Sequence, residues 1–163
     1  RGSAACDARL EIVGQVAEPL VSAVASRGLT DRVTMHGFRP HREALEIVAR
    51  ADAGLVVIAE RPGAESIYSG KLFEYLGIGV PVLLCGPMNG VAASLVREAN
   101  AGTVVAYRDV EAIAGTLDRL ALAKSRGETA RVMVADVVAG FDRRAQAARV
   151  GELLSETVEA AHE

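Results

Sequence analysis

A chain of 163 residues is the size of one domain or slightly more, and with 50% hydrophobic residues it can bury a sizeable core. Tryptophan is absent and aromatics reach only 4%, so Ala, Val and Leu must build the interior. A net charge of -3 excludes a strongly basic nucleic-acid module, and the apolar runs are too short to span a bilayer.

Short apolar runs alternate with amphipathic stretches. Leu10 to Gly14 reads as a first strand ending in glycine. Val21, Val24 and Ala25 share a helical face, and Gly28 ends that helix. Val33 to Phe38 is a second strand, stopped at Gly37. Pro40 can open the next helix at its first position, with Ala44, Leu45, Val48 and Ala51 as its apolar face. Gly54 to Ile58 is a third strand, whose unbroken apolar run predicts burial on both faces. A polar, glycine- and serine-rich segment from Glu60 to Gly70 leads into a helix over Lys71 to Leu76, closed by Gly77 and Gly79.

Val80 to Cys85 is a fourth strand, followed by the loop Gly86 to Gly90, a helix over Val91 to Ala99 and a fifth strand over Thr103 to Ala106. Asp109 can cap the next helix, which carries the stripe Val110, Ile113, Ala114, Leu117 and Leu120. From about Thr129 the chain reads as helical, with Gly140 and Phe141 as a break before a last helix over Asp142 to Ala161. Cys85 reads as a buried free thiol. With Cys6 the only other cysteine, no disulfide framework arises, and a reducing compartment is expected.

Repeated strand–helix units predict an α/β domain. It is a Rossmann-like parallel sheet of five to six strands with helices on both faces, plus C-terminal helices. Residues 1–8 read as a tag remnant or linker, 9–128 as the sheet domain, and 129–163 as a helical tail packing on it. Ligands in such sheets bind beyond the carboxyl ends of the strands. Loops lie there after Gly14, after Gly37, from Ala59 to Gly70 and from Gly86 to Gly90.

Ser69-Gly70-Lys71 opens a helix, so free N–H groups and the positive dipole end face the loop, as suits a phosphate. Lys71 adds a full positive charge. Glu74, one turn further in, is poor for holding phosphate and well suited to gripping vicinal hydroxyls such as those of a ribose. The plainer reading makes Ser69 an N-cap and Glu74 a solvated carboxylate. Leu72, Phe73, Tyr75 and Leu76 read as core, His36 as a packed or loop-bonded histidine, and His41 and Arg42 as a solvated first turn. The chain has no GxGxxG after the first strand, no Walker loop, no Gly-x-Ser-x-Gly elbow and no zinc-type ligand cluster.

The segment Leu72-Phe73-Glu74-Tyr75-Leu76-Gly77, continued by Gly79-Val80-Pro81-Val82-Leu83 and preceded by Ser69-Gly70-Lys71, resembles a known signature. It is the donor-binding signature of the family-four type glycosyltransferases with the GT-B fold. Arg9 to Gly14, Asp31 to Pro40, Ala51 to Val57, Ala101 to Val105, Asp109 to Ile113 and the tail from Phe141-Asp142-Arg143 resemble the rest of that family's C-terminal half. The resemblance implies that Glu74 holds the donor ribose, and that Ser69, Gly70 and Lys71 approach the phosphates. It implies that Gly37, Phe38 and Arg39 line the base pocket and that Gly14 permits close approach of the first loop. Many relatives carry a second, upstream Glu that touches the donor sugar. Counting back from Glu74, that place falls on Ser66, with Glu65 one residue off.

The implied reaction moves a sugar from a nucleotide-diphosphate donor to an acceptor hydroxyl with retention. It uses no metal and no cofactor, the nucleotide sugar being substrate. Catalytic residues are expected mainly in an N-terminal domain outside this sequence, so the fragment alone should be inactive. The expected partners are the nucleotide sugar, that N-terminal domain, and an acceptor glycan, lipid or small molecule. The expected location is cytoplasmic or at the inner face of a membrane, with peripheral membrane association. The alternatives are a GT-B-fold nucleotide-sugar epimerase and a non-catalytic α/β binding module.

Overall fold

The computed structural model describes residues 8–128 and 140–160. Cys6, most of residues 1–8 and the start of the expected tail at 129–139 lie outside these. The described chain runs β1 (Leu10–Val13), α1 (Glu18–Ser26), β2 (Val33–Gly37), α2 (His41–Arg50), β3 (Gly54–Val57), α3 (Gly70–Ile78), β4 (Val82–Cys85), α4 (Val91–Glu98), β5 (Gly102–Val105), α5 (Val110–Ser125) and α6 (Arg143–Ala160). Short 3-10 turns cover Thr30–Arg32 and Ala64–Ser66.

Four of the five strands fall within a residue of their sequence reading, β4 starts two residues later than read, at Val82, and every ladder between them is parallel. The α/β architecture therefore stands, but the single sheet of five to six strands does not. The ladders form two sheets, β1-β2 and β3-β4-β5. The two halves are joined by helix packing, α2 against α3, rather than by a strand ladder between β1 and β3. β1 carries little buried surface to draw it further in: Leu10 and Glu11 are exposed and Ile12 and Val13 only half-buried.

The main core lies on one face of the three-stranded sheet. Val56, Ile58, Val82 and Leu84 meet Leu72 and Leu76 of α3 and Ala92, Ala93, Leu95 and Val96 of α4. The i, i+4 spacing of Leu72 and Leu76 puts both on the inner stripe of α3, where they are 0% and 4% exposed. On the opposite face α5 lays Ala112, Ile113 and Leu117 over Leu83, Cys85 and Val105. That cover does not reach β3. Gly54 and Val56 are buried while Leu55 and Val57 are exposed, so β3 is buried on one face rather than both. β3 stands at the edge of the three-stranded ladder, and the apolar face of α5 packs on β4 and β5.

Local chemistry sets the helix ends. Gly79 closes α3 in the left-handed region at φ 79°, donating its N–H to the carbonyls of Tyr75 and Leu76. Helix α3 therefore runs through Gly77. Pro40 stands one residue before the first turn of α2, as N-cap rather than first helical residue. Asp109 caps α5 as read, its Oδ1 accepting from the Ala112 N–H at 2.9 Å. Phe141 packs against the main core, whereas every described side chain from Asp142 to Val158 is exposed. No helix among the described residues is long and apolar enough to cross a membrane.

Candidate functional site

The loops named in the sequence all emerge at the carboxyl ends of the strands, and they gather into two groups. In the first, the Gly14 N–H donates to the Gly37 carbonyl at 2.8 Å, closing the ends of β1 and β2 against each other. Both glycines have positive φ, 121° and 66°, and the space over each Cα is open, so backbone is left accessible to a ligand. Phe38 follows, 79% exposed, and Arg39 beside it is exposed. An aromatic ring so placed offers a stacking surface for a planar group.

The second group is built on β3, β4 and their loops. The turn Ala64–Ser66 brings the backbone of Glu65 against Gly90, where an added Cβ would lie 3.0 Å from the Glu65 carbonyl oxygen. That contact holds the long loop after β3 against the loop after β4. Both Glu65 and Ser66 are exposed, with no side-chain partner among the described residues to prefer one for a ligand. Arg97 of α4 steadies the β4 loop by donating from Nη1 to the Met88 carbonyl at 2.7 Å.

The chain then enters α3. Ser69 occupies the N-cap position, yet its side chain makes no capping hydrogen bond. The Leu72 N–H turns back to the Ser69 carbonyl at 3.0 Å, which leaves the N–H groups of Gly70 and Lys71 at the open end of the helix. Lys71 and Glu74 are exposed and take no ion-pair or hydrogen-bond partner among the described residues. A carboxylate and an ammonium on successive turns, both unpaired, beside uncapped amides, form a set of polar groups free to meet a ligand.

Glu74 also acts on its neighbour. Burial raises the Tyr75 phenol above its ordinary range, and the negative charge of Glu74 raises it further. The Tyr75 ring lies against Gly54 at the start of β3, where an added Cβ would collide with it. Leu72 and Leu76 are core, as read, and Phe73 and Tyr75 are half-buried against that core. His36 is a bonded strand-end histidine, its Nε2 lying 3.0 Å from Glu11 Oε2 across the β1–β2 ladder.

The two groups are not joined by any hydrogen bond or ion pair among the described residues. Helix α2, which follows the first group, packs against α3, which opens in the second. Sequence reading missed the aromatic cluster Tyr68, Phe73 and Phe141, which flanks the start of α3. It also missed the Lys124 to Asp52 ion pair at 2.8 Å, which ties the end of α5 to the start of β3.

A family model described as glycosyl transferases group 1 matches residues 2–122. The chain belongs to this glycosyltransferase family. Solved structures agree on the fold. The chain is similar to sucrose-phosphate synthase from Thermosynechococcus elongatus, at 21% identity and a TM-score of 0.74, covering 93% of this chain and 39% of that one. It is also similar to HepE of Anabaena, solved in complex with UDP, at 19% identity and a TM-score of 0.64, covering 94% of this chain and 41% of that one. The glycosyltransferase chain thus spans less than half the length of these GT-B neighbours. No curated protein matches it.

One side chain of this glycosyltransferase domain is closed off at the end of β4. Cys85 is 4% exposed at the end of β4, and burial pushes its thiol up from the usual value. Because the thiolate is the reactive form, a raised pKa and a closed surface both slow modification. In a Cys6→Ser background, a thiol reagent at mildly alkaline pH should leave the folded protein largely unlabelled and label it fully in denaturant. Rapid labelling of the native chain would show Cys85 to be accessible.

Proposed function

We propose that this chain is the donor-binding half of a two-domain glycosyltransferase. The whole enzyme moves a sugar from a nucleoside-diphosphate donor to an acceptor hydroxyl, with anomeric retention. The observation that carries the reading is the open start of α3, where two backbone N–H groups, Lys71 and Glu74 lie within two turns, none of them with a hydrogen-bond or ion-pair partner among the described residues.

The physical roles follow from those groups. The N–H groups of Gly70 and Lys71 and the positive end of the helix dipole attract the diphosphate. The Lys71 ammonium adds charge where the departing diphosphate becomes more negative as the sugar bond breaks. Glu74 accepts hydrogen bonds from the ribose hydroxyls. Gly37, Phe38 and Arg39 take the base, and Gly14 lets the first loop come close. Glu65 or Ser66 stands nearest the sugar.

In this reading the nucleotide sugar is a substrate, no metal or other cofactor is involved, and the acceptor is a glycan, a lipid or a small molecule. The catalytic groups and the acceptor site lie mainly on an N-terminal domain facing this one, and the enzyme works in the cytoplasm or at the inner face of a membrane. The family membership supports the reaction class, and the GT-B likeness supports the two-domain layout.

Transfer needs donor and acceptor held together between both domains, since positioning supplies much of the rate. The chain by itself should therefore bind a nucleoside diphosphate without turning over its sugar. The test titrates UDP, GDP and ADP into the chain by calorimetry, then incubates it with the matching labelled nucleotide sugars and a panel of acceptors. Binding of one diphosphate with no transfer is the expected result. Transfer by the chain alone overturns the two-domain reading, and no binding of any diphosphate overturns the donor site.

A further inference from the structure

We infer that Phe141 is a positioning residue for the phosphate-facing start of α3, acting through Tyr68 and Phe73; the inference rests on the donor-binding reading above. Helix α3 is fixed on its inner side by Leu72 and Leu76, which are almost wholly buried. Its outer start has no side-chain cap to fix it. What stands there is a closed triangle of rings. The Tyr68 and Phe73 centroids are 5.5 Å apart, Tyr68 and Phe141 6.1 Å, and Phe73 and Phe141 5.1 Å. All three pairs are tilted or edge-on and lie in the range where aromatic pairs attract.

The triangle brackets the anion-facing segment. Tyr68 immediately precedes Ser69-Gly70-Lys71, and Phe73 closes the first turn beside Glu74. The third ring comes from the far end of the chain. Phe141 precedes Asp142, whose Oδ1 accepts from the Arg144 N–H at 2.9 Å and the Ala145 N–H at 3.1 Å. That cap orders the first turn of α6, and Phe141 stands one residue before the capping Asp142. From Asp142 to Val158 the described side chains of α6 are exposed, while Phe141 packs on the core. The triangle is therefore where α6 meets the loop and helix that face the ligand. A displacement of α6 is passed through Phe141 to Tyr68, and so to the direction in which the Gly70 and Lys71 N–H groups point.

Packing and positioning make different demands. A ring that only fills space sets stability, and its loss would not discriminate between ligands. A ring that aims backbone amides at phosphate oxygens sets diphosphate affinity and leaves nucleoside affinity alone, because the base is held by the separate group around Gly37 to Arg39.

The experiment titrates UDP, GDP and ADP, with uridine, guanosine and adenosine beside them, into the chain and its variants, well below each melting temperature. Phe141→Ala should weaken the diphosphate that binds by about tenfold and leave its nucleoside unchanged. Phe141→Tyr, which keeps the ring, should restore wild-type affinity. Tyr68→Ala changes a residue that is 45% exposed and outside the core cluster, so it should reproduce the effect and decides the matter if Phe141→Ala does not fold. Variants that match wild type, or that lose diphosphate and nucleoside affinity in the same proportion, overturn the inference. A wild-type chain that binds no diphosphate overturns the donor reading first and this inference with it, an outcome distinguishable from wild-type binding with unaffected variants.

Discussion

Replacing Glu74 by glutamine is expected to cost the chain most of its affinity for a nucleoside diphosphate while leaving its stability unchanged. The carboxylate is exposed on the second turn of α3 and takes no partner among the described residues, so the folded protein loses nothing when the charge is removed. Glutamine has the same shape and keeps one acceptor. What it lacks is the negative charge, and hydrogen bonds to a charged group contribute roughly 1.5–3 kcal/mol, which is about 10- to 150-fold in affinity. Calorimetry should show that loss for the intact nucleotide and little of it for an analogue without ribose hydroxyls. The Tyr75 phenol offers a second readout. Burial keeps it high, but part of its rise comes from the Glu74 charge, so it should titrate at lower pH in the variant. Equal donor affinity in wild type and variant, with the Tyr75 shift present, would remove Glu74 from the site while confirming where its charge lies.

The segment around Glu74 was the most legible part of the sequence, for a physical reason. Between Ser69 and Leu83 every signal is local. Leu72 and Leu76 give the inner stripe, Gly79 gives the left-handed stop, and the run from Val80 gives the buried strand. The Asp109 cap was readable on the same grounds. Pairing between strands is not local. Nothing in Leu10 to Val13 or in Gly54 to Val57 says which strand lies beside them, so the separation into sheets of two and three strands was invisible.

The exposure of Leu55 and Val57 was missed for a related reason. An unbroken apolar run has the same appearance whether one or both faces are covered, and coverage depends on where α5 ends up. The triangle of Tyr68, Phe73 and Phe141 joins residues far apart in the chain, and no spacing rule connects them. The candidate site shows the same division. Its residue types could be read one by one, but not the packing of α2 on α3, which no local spacing encodes.

Lys71→Ala should weaken a nucleoside diphosphate far more than the bare nucleoside, and should slightly stabilise the protein without ligand. Lys71 and Lys124 are the lysines of the chain, and they differ in their surroundings. Lys124 sits near the end of α5, where a cation suits the dipole, and pairs with Asp52 at 2.8 Å. Lys71 sits in the first turn of α3, where the dipole disfavours a cation by about 0.3–1 kcal/mol, and it has no partner among the described residues. A cation held against the dipole becomes favourable once an anion lies between the ammonium and the helix start. Its charge-assisted bond to phosphate is then worth roughly 1.5–3 kcal/mol, which exceeds the repulsion in the free protein. The variant should thus melt at the same temperature or slightly higher. It should bind diphosphate about 10- to 150-fold more weakly and bind nucleoside as before. The effect on diphosphate should shrink as salt rises, because the pair lies at an exposed surface. Thermal melts without ligand and paired titrations at low and high salt measure all three quantities. A loss shared equally by diphosphate and nucleoside, or no loss at either salt concentration, would mean that Lys71 is a solvated surface lysine and that the phosphates are held elsewhere.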